Sequence, residues 1–242
     1  MILDSFSYTS KGGREYNQDS VGVSELPSGA VYVVADGLGG HLHGEMASKC
    51  AVETMLSAEP APMDGQPAWL EEQIKRANQE ILSLQEKHGN MKTTIAALVV
   101  NEEQAAWAHV GDSRVYYLHN KAIEAFTADH SVAYKKYLAG EITREQIGYD
   151  EDQSSLLRAL GNPTRSQPVC FSPEHPVESG DGFLLCSDGF WEYILDEEIL
   201  IDFLKADNAK TWAELLLLRV MGRIDTGNDN LSVITVMLNV DQ

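Results

Sequence analysis

Four β-like runs follow one another between Thr93 and Phe126: Thr93 to Val100, Ala105 to Val110, Arg114 to Leu118 and Ala122 to Phe126. The links between them are short and polar or contain glycine. Such links suit antiparallel neighbours, because parallel strands need a long crossover. The stretch therefore predicts an antiparallel meander. Val31 to Ala35 is a further short apolar run, flanked by Ser28-Gly29 and Asp36-Gly37. It reads as a buried strand that delivers Asp36 to its tip. Strand character returns at Phe183 to Ser187 and, in alternating form, at Leu231 to Leu238.

Helical spacing is written between these runs. From Glu45, residues Met46, Cys50, Ala51, Thr54, Met55 and Ala58 follow a helical period until Pro60, Pro62 and Pro67 impose a loop. Leu70, Ile74, Ala77, Ile81 and Leu84 then alternate steps of four and three, the mark of a helix packing one stripe on a sheet. Glu197 to Lys205 and Thr211 to Met221 predict two more helices. Strands and helices come in blocks, which argues for an α+β fold of antiparallel sheets with helices on their faces. Residues Ser131 to Ser155 are polar, carry both charge signs and show weak helical periodicity at Tyr134 to Leu138. They predict a flap beside the core. No repeat or low-complexity tract divides the chain, so residues 1–242 are expected to form one domain.

Acidic residues outnumber basic ones by 37 to 18, giving a net charge of -19 whose field repels nucleic acid and anionic membranes. Most of these acids are expected to be solvated; the informative ones stand beside glycine after apolar runs. Cys50, Cys170 and Cys186 are odd in number and widely spaced, so neither a disulfide framework nor a thiolate zinc site is indicated. A reducing cytoplasm is the expected location. Met1 to Asp4 lack a basic region leading into an apolar stretch, and no 18-residue apolar run occurs, so neither a targeting signal nor a membrane span is expected.

Four segments share one grammar, a β-like run that ends at an aspartate in a tight Gly or Asn turn: Ala35-Asp36-Gly37, Val110-Gly111-Asp112, Ser187-Asp188-Gly189 and Asn228-Asp229-Asn230. Any one alone reads as an ordinary turn. Together they suggest a cluster, and Asp36-Gly37-Leu38-Gly39-Gly40-His41 holds more glycine than a hairpin requires. Glycine lets backbone carbonyls approach a ligand closely. Two carboxylates about 4 Å apart repel by roughly 4 kcal/mol at an effective dielectric near 20, so convergence demands cations or protons. Carboxylate and carbonyl oxygens favour Mg²⁺ or Mn²⁺. His41 and His43 could hold zinc, but no third nitrogen or thiolate ligand stands at a recognisable spacing. Two hard cations would activate water for in-line displacement at phosphorus. Arg14 offers a planar fork for two phosphate oxygens, or else is a surface arginine paired with Glu15 or another acid.

Arg14 to Asp19, Asp36 to His41, Thr93-Thr94, Gly111 to Arg114, Asp129-His130-Ser131, Ser187 to Gly189 and Asp229-Asn230 occur in the order seen in type 2C protein phosphatases. The chain resembles that family over nearly its whole length, and its compact size is similar to the bacterial branch. The resemblance implies an α-β-β-α sandwich of two antiparallel sheets flanked by helices, with a metal site in a cleft at the sheet edge. It implies that Asp36 bridges two Mn²⁺ or Mg²⁺ ions, that the Gly37 carbonyl binds the second, and that Asp188 and Asp229 complete the first. Asp19 would hold water beside the metals, Asp112 would contribute to a third, weaker cation site, and Arg14 would grip the substrate phosphate. Arg14 and Asp112 are thus the candidate catalytic residues.

Gln18 and Leu38 depart from the family pattern: many relatives carry an acid at the first position, and eukaryotic members carry a proposed general-acid histidine at the second. The resemblance further implies phosphoserine and phosphothreonine proteins as substrates, a Hanks-type serine/threonine kinase as opponent, and a monomer. Some members of about this size belong to secretion systems, including type VI. A binding module without turnover is disfavoured by intact Asp36, Asp188 and Asp229. A calcium-binding protein is disfavoured by the lack of a twelve-residue loop with alternating acids.

Overall fold

The computed structural model describes residues 2–26, 29–38, 42–58, 64–163 and 170–239. In chain order the elements are β1 (Ile2–Ser10), β2 (Asp19–Leu26), β3 (Gly29–Leu38), α1 (Leu42–Leu56), α2 (Gln66–His88), β4 (Lys92–Thr93), β5 (Ile95–Asn101), β6 (Gln104–Val110), β7 (Arg114–His119) and β8 (Ala122–Phe126). There follow α3 (Val132–Leu138), a 3-10 turn at Ile147–Tyr149, β9 (Cys170–Phe171), β10 (His175–Pro176), β11 (Gly182–Cys186), α4 (Asp188–Trp191), α5 (Asp196–Lys205), α6 (Ala209–Met221) and β12 (Leu231–Asn239).

The strands form two antiparallel sheets, ordered β1-β12-β11-β7-β8 and β10-β6-β5-β3-β2, with β4 and β9 attached to β3 and β6. Strand alternation sends β3 side chains to both faces, and both are covered. Tyr32 and Val34 meet Leu98, Trp107, Tyr117, Phe183, Ile234 and Val236 between the sheets. Val31, Val33 and Ala35 pack outward against Met55 of α1 and Leu70, Ile74 and Ile81 of α2. Phe203 of α5 and Trp212 and Leu216 of α6 cover Tyr116 and Leu118 on the other sheet. The layers are α-β-β-α, as the resemblance implies. Helix α2 opens with Pro67 in its first turn and closes at Gly89, whose N–H donates to the Gln85 carbonyl at φ 86°.

Four expectations are corrected. The runs from Thr93 to Phe126 are not one meander: β5 pairs with β6 in one sheet and β7 with β8 in the other. The chain changes sheet at Gly111-Asp112-Ser113, where Gly111 has φ 104°. Asp36 is not at a strand tip, because β3 continues through Leu38 and pairs with β4 there. Asp188 opens α4 instead of closing a turn, and Asp229 precedes β12 instead of following a strand. Strands β1 and β2 are edge strands of their sheets, so half-exposed polar residues interrupt their apolar pattern and hide them from the sequence reading. Gly39, Gly40 and His41 lie outside the described residues.

Residues 131–155 leave β8 and return beside their start. The Ser131 hydroxyl accepts from the Tyr134 N–H and caps α3, Ser131 pairs with Leu156, and Lys136 bonds Asp150 and Asp152 at 2.8 Å each.

Candidate active site

The register of β2 on β3 places Asp19 directly opposite Asp36. Like charges so placed oppose sheet formation, so other bonds must hold the pair. The Asp36 carbonyl accepts from the Thr94 N–H and the Thr93 hydroxyl, both at 2.8 Å, and the Asp36 N–H donates to Thr94 Oγ1 at 2.9 Å. At Gly37 a Cβ would lie 2.2 Å from the Gly44 carbonyl, so only glycine allows this approach of strand to α1.

Asp188 comes from the end of β11, where the preceding Ser187 donates its hydroxyl to Asp19 Oδ2 at 2.8 Å. Gly189 packs its backbone on that of Asn230. Asn230 in turn staples the loop carrying Arg14, with Nδ2 donating to the Lys11 and Tyr16 carbonyls and Oδ1 accepting from the Gln18 N–H. The resulting open cleft of about 440 Å³ is lined by Arg14, Asp36, Gly37, Asp112, Asp188 and Asp229, with Ser154 at the end of the 131–155 excursion and Leu156 just after it.

Asp19 sits behind this wall, 6 % exposed. Burial pushes its carboxyl up to about 7 against hydrogen bonds from Ser232 and Ser187, and the charges of Asp188 and Asp229 add to the rise. Burial and then the charge of Asp188 hold both Asp36 and Asp112 well above the usual carboxylate range. Burial, with Asp229 beside it, lifts Asp188 to about 6. The Asp188 charge raises Asp19, Asp36 and Asp112, and the Asp229 charge raises Asp188, which is the signature of a cluster that calls for positive charge.

Arg14 supplies one positive charge: Nε and Nη2 donate to the two Asp229 carboxylate oxygens at 3.1 and 2.8 Å. The surface-pairing alternative for Arg14 is therefore met by Asp229 and not by Glu15. Arg114 does not pair with Asp112 but lies buried on Asp129, at 2.8 and 2.6 Å. Among the described residues no group of three His, Cys, Asp or Glu side chains stands ready to hold an ion. The donor chemistry nevertheless fits hard cations. The acids lining the cleft offer only oxygen, and Asp19 Oδ1 and Asp112 Oδ1 are buried with no hydrogen-bond partner.

Spacing alone gives no role to Thr94, Ser187, Asn230 or Glu192. The first three lie inside the ordered motifs, but Thr94 and Asn230 act by bonding distant backbone groups and Ser187 by bonding the Asp19 carboxylate. Glu192, one turn after Asp188, accepts from Gln153 Nε2 at 3.3 Å and is pushed up to about 7 by burial and by the Asp188 charge. It links α4 to the 131–155 excursion. A second cavity of about 120 Å³ lies between Arg144–Tyr149 and Trp191–Glu197. Its arginines, Arg114, Arg144 and Arg223, are each paired with an acid, Asp129, Asp196 and Glu198 respectively.

A family model described as Protein phosphatase 2C matches residues 11–215. The serine/threonine phosphatase Stp of Listeria welshimeri is 31% identical over 244 residues, covering 95% of this chain and 93% of that protein. The crystal structure of a bacterial serine phosphatase superposes with a TM-score of 0.88 at 27% identity, covering all of both chains. The catalytic domain of the phosphatase PstP, solved in complex with two manganese ions, superposes at 0.80 with 27% identity over 98% of this chain and 99% of that one. The ordered motifs, the two-sheet sandwich and these likenesses agree that the chain belongs to the protein phosphatase 2C family.

Proposed function

We propose that this chain is a metal-dependent protein phosphatase that removes phosphoryl groups from serine and threonine side chains. The observation that carries the reading is the gathering of Asp19, Asp36, Asp112, Asp188 and Asp229 around one cleft, each of the first four held above its ordinary pKa. Such a cluster is suited to cations, and a relative of the same fold holds two manganese ions. Bound here, two Mn²⁺ or Mg²⁺ ions would supply the Lewis acidity that activates water and offsets charge on phosphorus.

In this reading Asp36 would be shared by the two ions, the Gly37 carbonyl would serve the second, and Asp188 and Asp229 would serve the first. Asp19, tied to Ser187, orients water beside them. Asp112 serves a third cation. Arg14 holds two phosphate oxygens, which requires it to part from Asp229 when that carboxylate turns to a metal. Ser154 and Leu156 support the reading of 131–155 as a flap, because they form one wall of the cleft. We further read 1–242 as a single domain, a monomer in the cytoplasm, whose substrates are phosphoproteins of a cognate Hanks-type kinase.

Hydrolysis of p-nitrophenyl phosphate and of a phosphothreonine peptide is the test. Turnover with Mn²⁺ that vanishes with EDTA or with Ca²⁺ alone is expected. A folded protein that binds Mn²⁺ and phosphopeptide without turnover would make it a binding module instead.

A further inference from the structure

The Gly111-Asp112-Ser113 link crosses from one sheet to the other, so neither sheet's ladder holds it. Two residues from elsewhere do. The His130 backbone N–H donates to the Gly111 carbonyl at 2.9 Å, and the His130 ring accepts at Nδ1 from the Gly111 N–H at 3.1 Å. Trp191 Nε1 donates to the Asp112 carbonyl at 2.8 Å. The backbone is thus bonded on both sides of the Asp112 Cα, and Thr94 fills the remaining space, since a Cβ on Gly111 would lie 2.6 Å from its Cγ2. The Asp112 side chain is 3 % exposed, lines the cleft and leaves Oδ1 without a partner.

Each ring is itself fixed. His130 stacks on His109 at 4.6 Å between centroids and 9° between planes, and His109 Nε2 lies 2.8 Å from the Ala128 carbonyl. Because Nδ1 accepts, the proton of His130 sits on Nε2. Burial, with His109 and Arg158 nearby, keeps the ring neutral by lowering its pKa to about 3. Trp191 lies under the Arg114 guanidinium at 3.4 Å, and Arg114 is locked by Asp129. Trp191 also stands three residues after Asp188 on α4, so one indole joins the turn to the helix of another cleft acid.

We propose that His130 and Trp191 are positioning residues for Asp112, ring clamps that hold the Gly111-Asp112 backbone so that the buried carboxylate faces the cleft and takes a hard divalent cation. The proposal rests on the reading that Asp112 serves a third cation. Neither ring touches the acids assigned to the other two ions through a side-chain hydrogen bond, so loosening either one should act on the Asp112 site first.

The test compares Asp112→Ala, His130→Ala, His130→Asn and Trp191→Phe. For each, the Mn²⁺ concentration for half-maximal phosphopeptide hydrolysis, calorimetric binding of the tight Mn²⁺ pair, and Tm are measured. Trp191→Phe deletes one hydrogen bond while keeping the ring under Arg114. A bond of that kind corresponds to about a 2–10-fold change in an equilibrium. Trp191→Phe and His130→Ala are therefore expected to raise the half-maximal Mn²⁺ about three- to tenfold and to leave the tight pair unchanged. His130→Asn, whose Oδ1 can accept from Gly111, should return to within about threefold of wild type. Either ring change added to Asp112→Ala should shift the metal dependence no further.

If Asp112→Ala itself leaves the metal dependence unchanged, the third-cation reading fails and the proposal with it. If Asp112→Ala shifts it but Trp191→Phe and His130→Ala only lower Tm, the clamps are structural and the proposal is overturned. Should His130→Ala not fold, Trp191→Phe and His130→Asn decide the matter by the same criteria.

Discussion

Replacing Asp19 by Asn should stabilise the metal-free protein and yet destabilise it relative to wild type when metal is present. Asp19 is 6 % exposed, and its carboxyl is moved from 3.8 to about 7. A folded-state pKa above the unfolded one gives stability that is complete below the unfolded value and lost as pH rises through about 7. At pH 8 the ionised carboxylate thus costs the fold about 4 kcal/mol, at about 1.36 kcal/mol per pH unit. Asp19→Asn removes that cost and keeps an oxygen for the Ser187 hydroxyl. It also places an amide NH₂ where Oδ1 has no partner, a penalty of about 1–3 kcal/mol. The net gain of about 1–3 kcal/mol corresponds to a Tm rise of about 3–10 °C for a chain of this size. Scanning fluorimetry in EDTA at pH 8 should show that rise, and at pH 5 it should disappear, because Asp19 is then protonated in the fold and the remaining cost of about 1–2 kcal/mol is matched by the amide penalty. In Mn²⁺ wild type should gain more than the variant, since the stability added by metal binding to the fold grows with the logarithm of affinity. A variant that melts below wild type in EDTA at pH 8 would refute the claim that Asp19 is an unfavourable buried charge awaiting a cation.

Arg14→Ala should raise KM for a phosphopeptide about 10–100-fold while calorimetric Mn²⁺ binding persists, and Arg14→Lys should restore it only in part for want of the bidentate fork. Unchanged KM would make the Asp229 ion pair the whole role of Arg14. Gly37→Ala puts a Cβ 2.2 Å from the Gly44 carbonyl. It should lower stability in urea by about 1–3 kcal/mol and weaken Mn²⁺ binding, and a variant with wild-type values would contradict the close approach. Asp129→Ala strands Arg114, whose side chain is 6% exposed, and should cost about 3–5 kcal/mol in denaturant melts. A loss below about 1 kcal/mol would show that Arg114 finds another partner.

The layered fold was legible where burial imposes a period. The α2 stripe from Leu70 to Leu84 and the β3 run from Val31 to Ala35 both appear where expected. Edge strands β1 and β2 were not legible, since only half of each is covered and the pattern carries little signal. At Gly111 the pattern of a meander misleads, because local spacing says that a turn occurs but not which sheet the next strand joins. At the site, Asp36, Asp188 and Asp229 announce themselves beside glycine or asparagine. The Asp19–Asp36 pairing, the Ser187 bond and the two ring clamps depend on contacts between residues far apart in sequence. No local pattern encodes those contacts.

Asp36 is the carboxylate that two cations would share in the proposed site. The most direct test of that sharing is calorimetric titration of Mn²⁺ into wild type and into Asp36→Asn, with phosphopeptide turnover measured on the same samples. Wild type should take up two tightly held ions and hydrolyse the peptide. The variant should stay folded in circular dichroism, bind both ions more weakly together, and fall to background turnover. A folded Asp36→Asn that keeps two tight sites, or keeps wild-type turnover, would contradict the account.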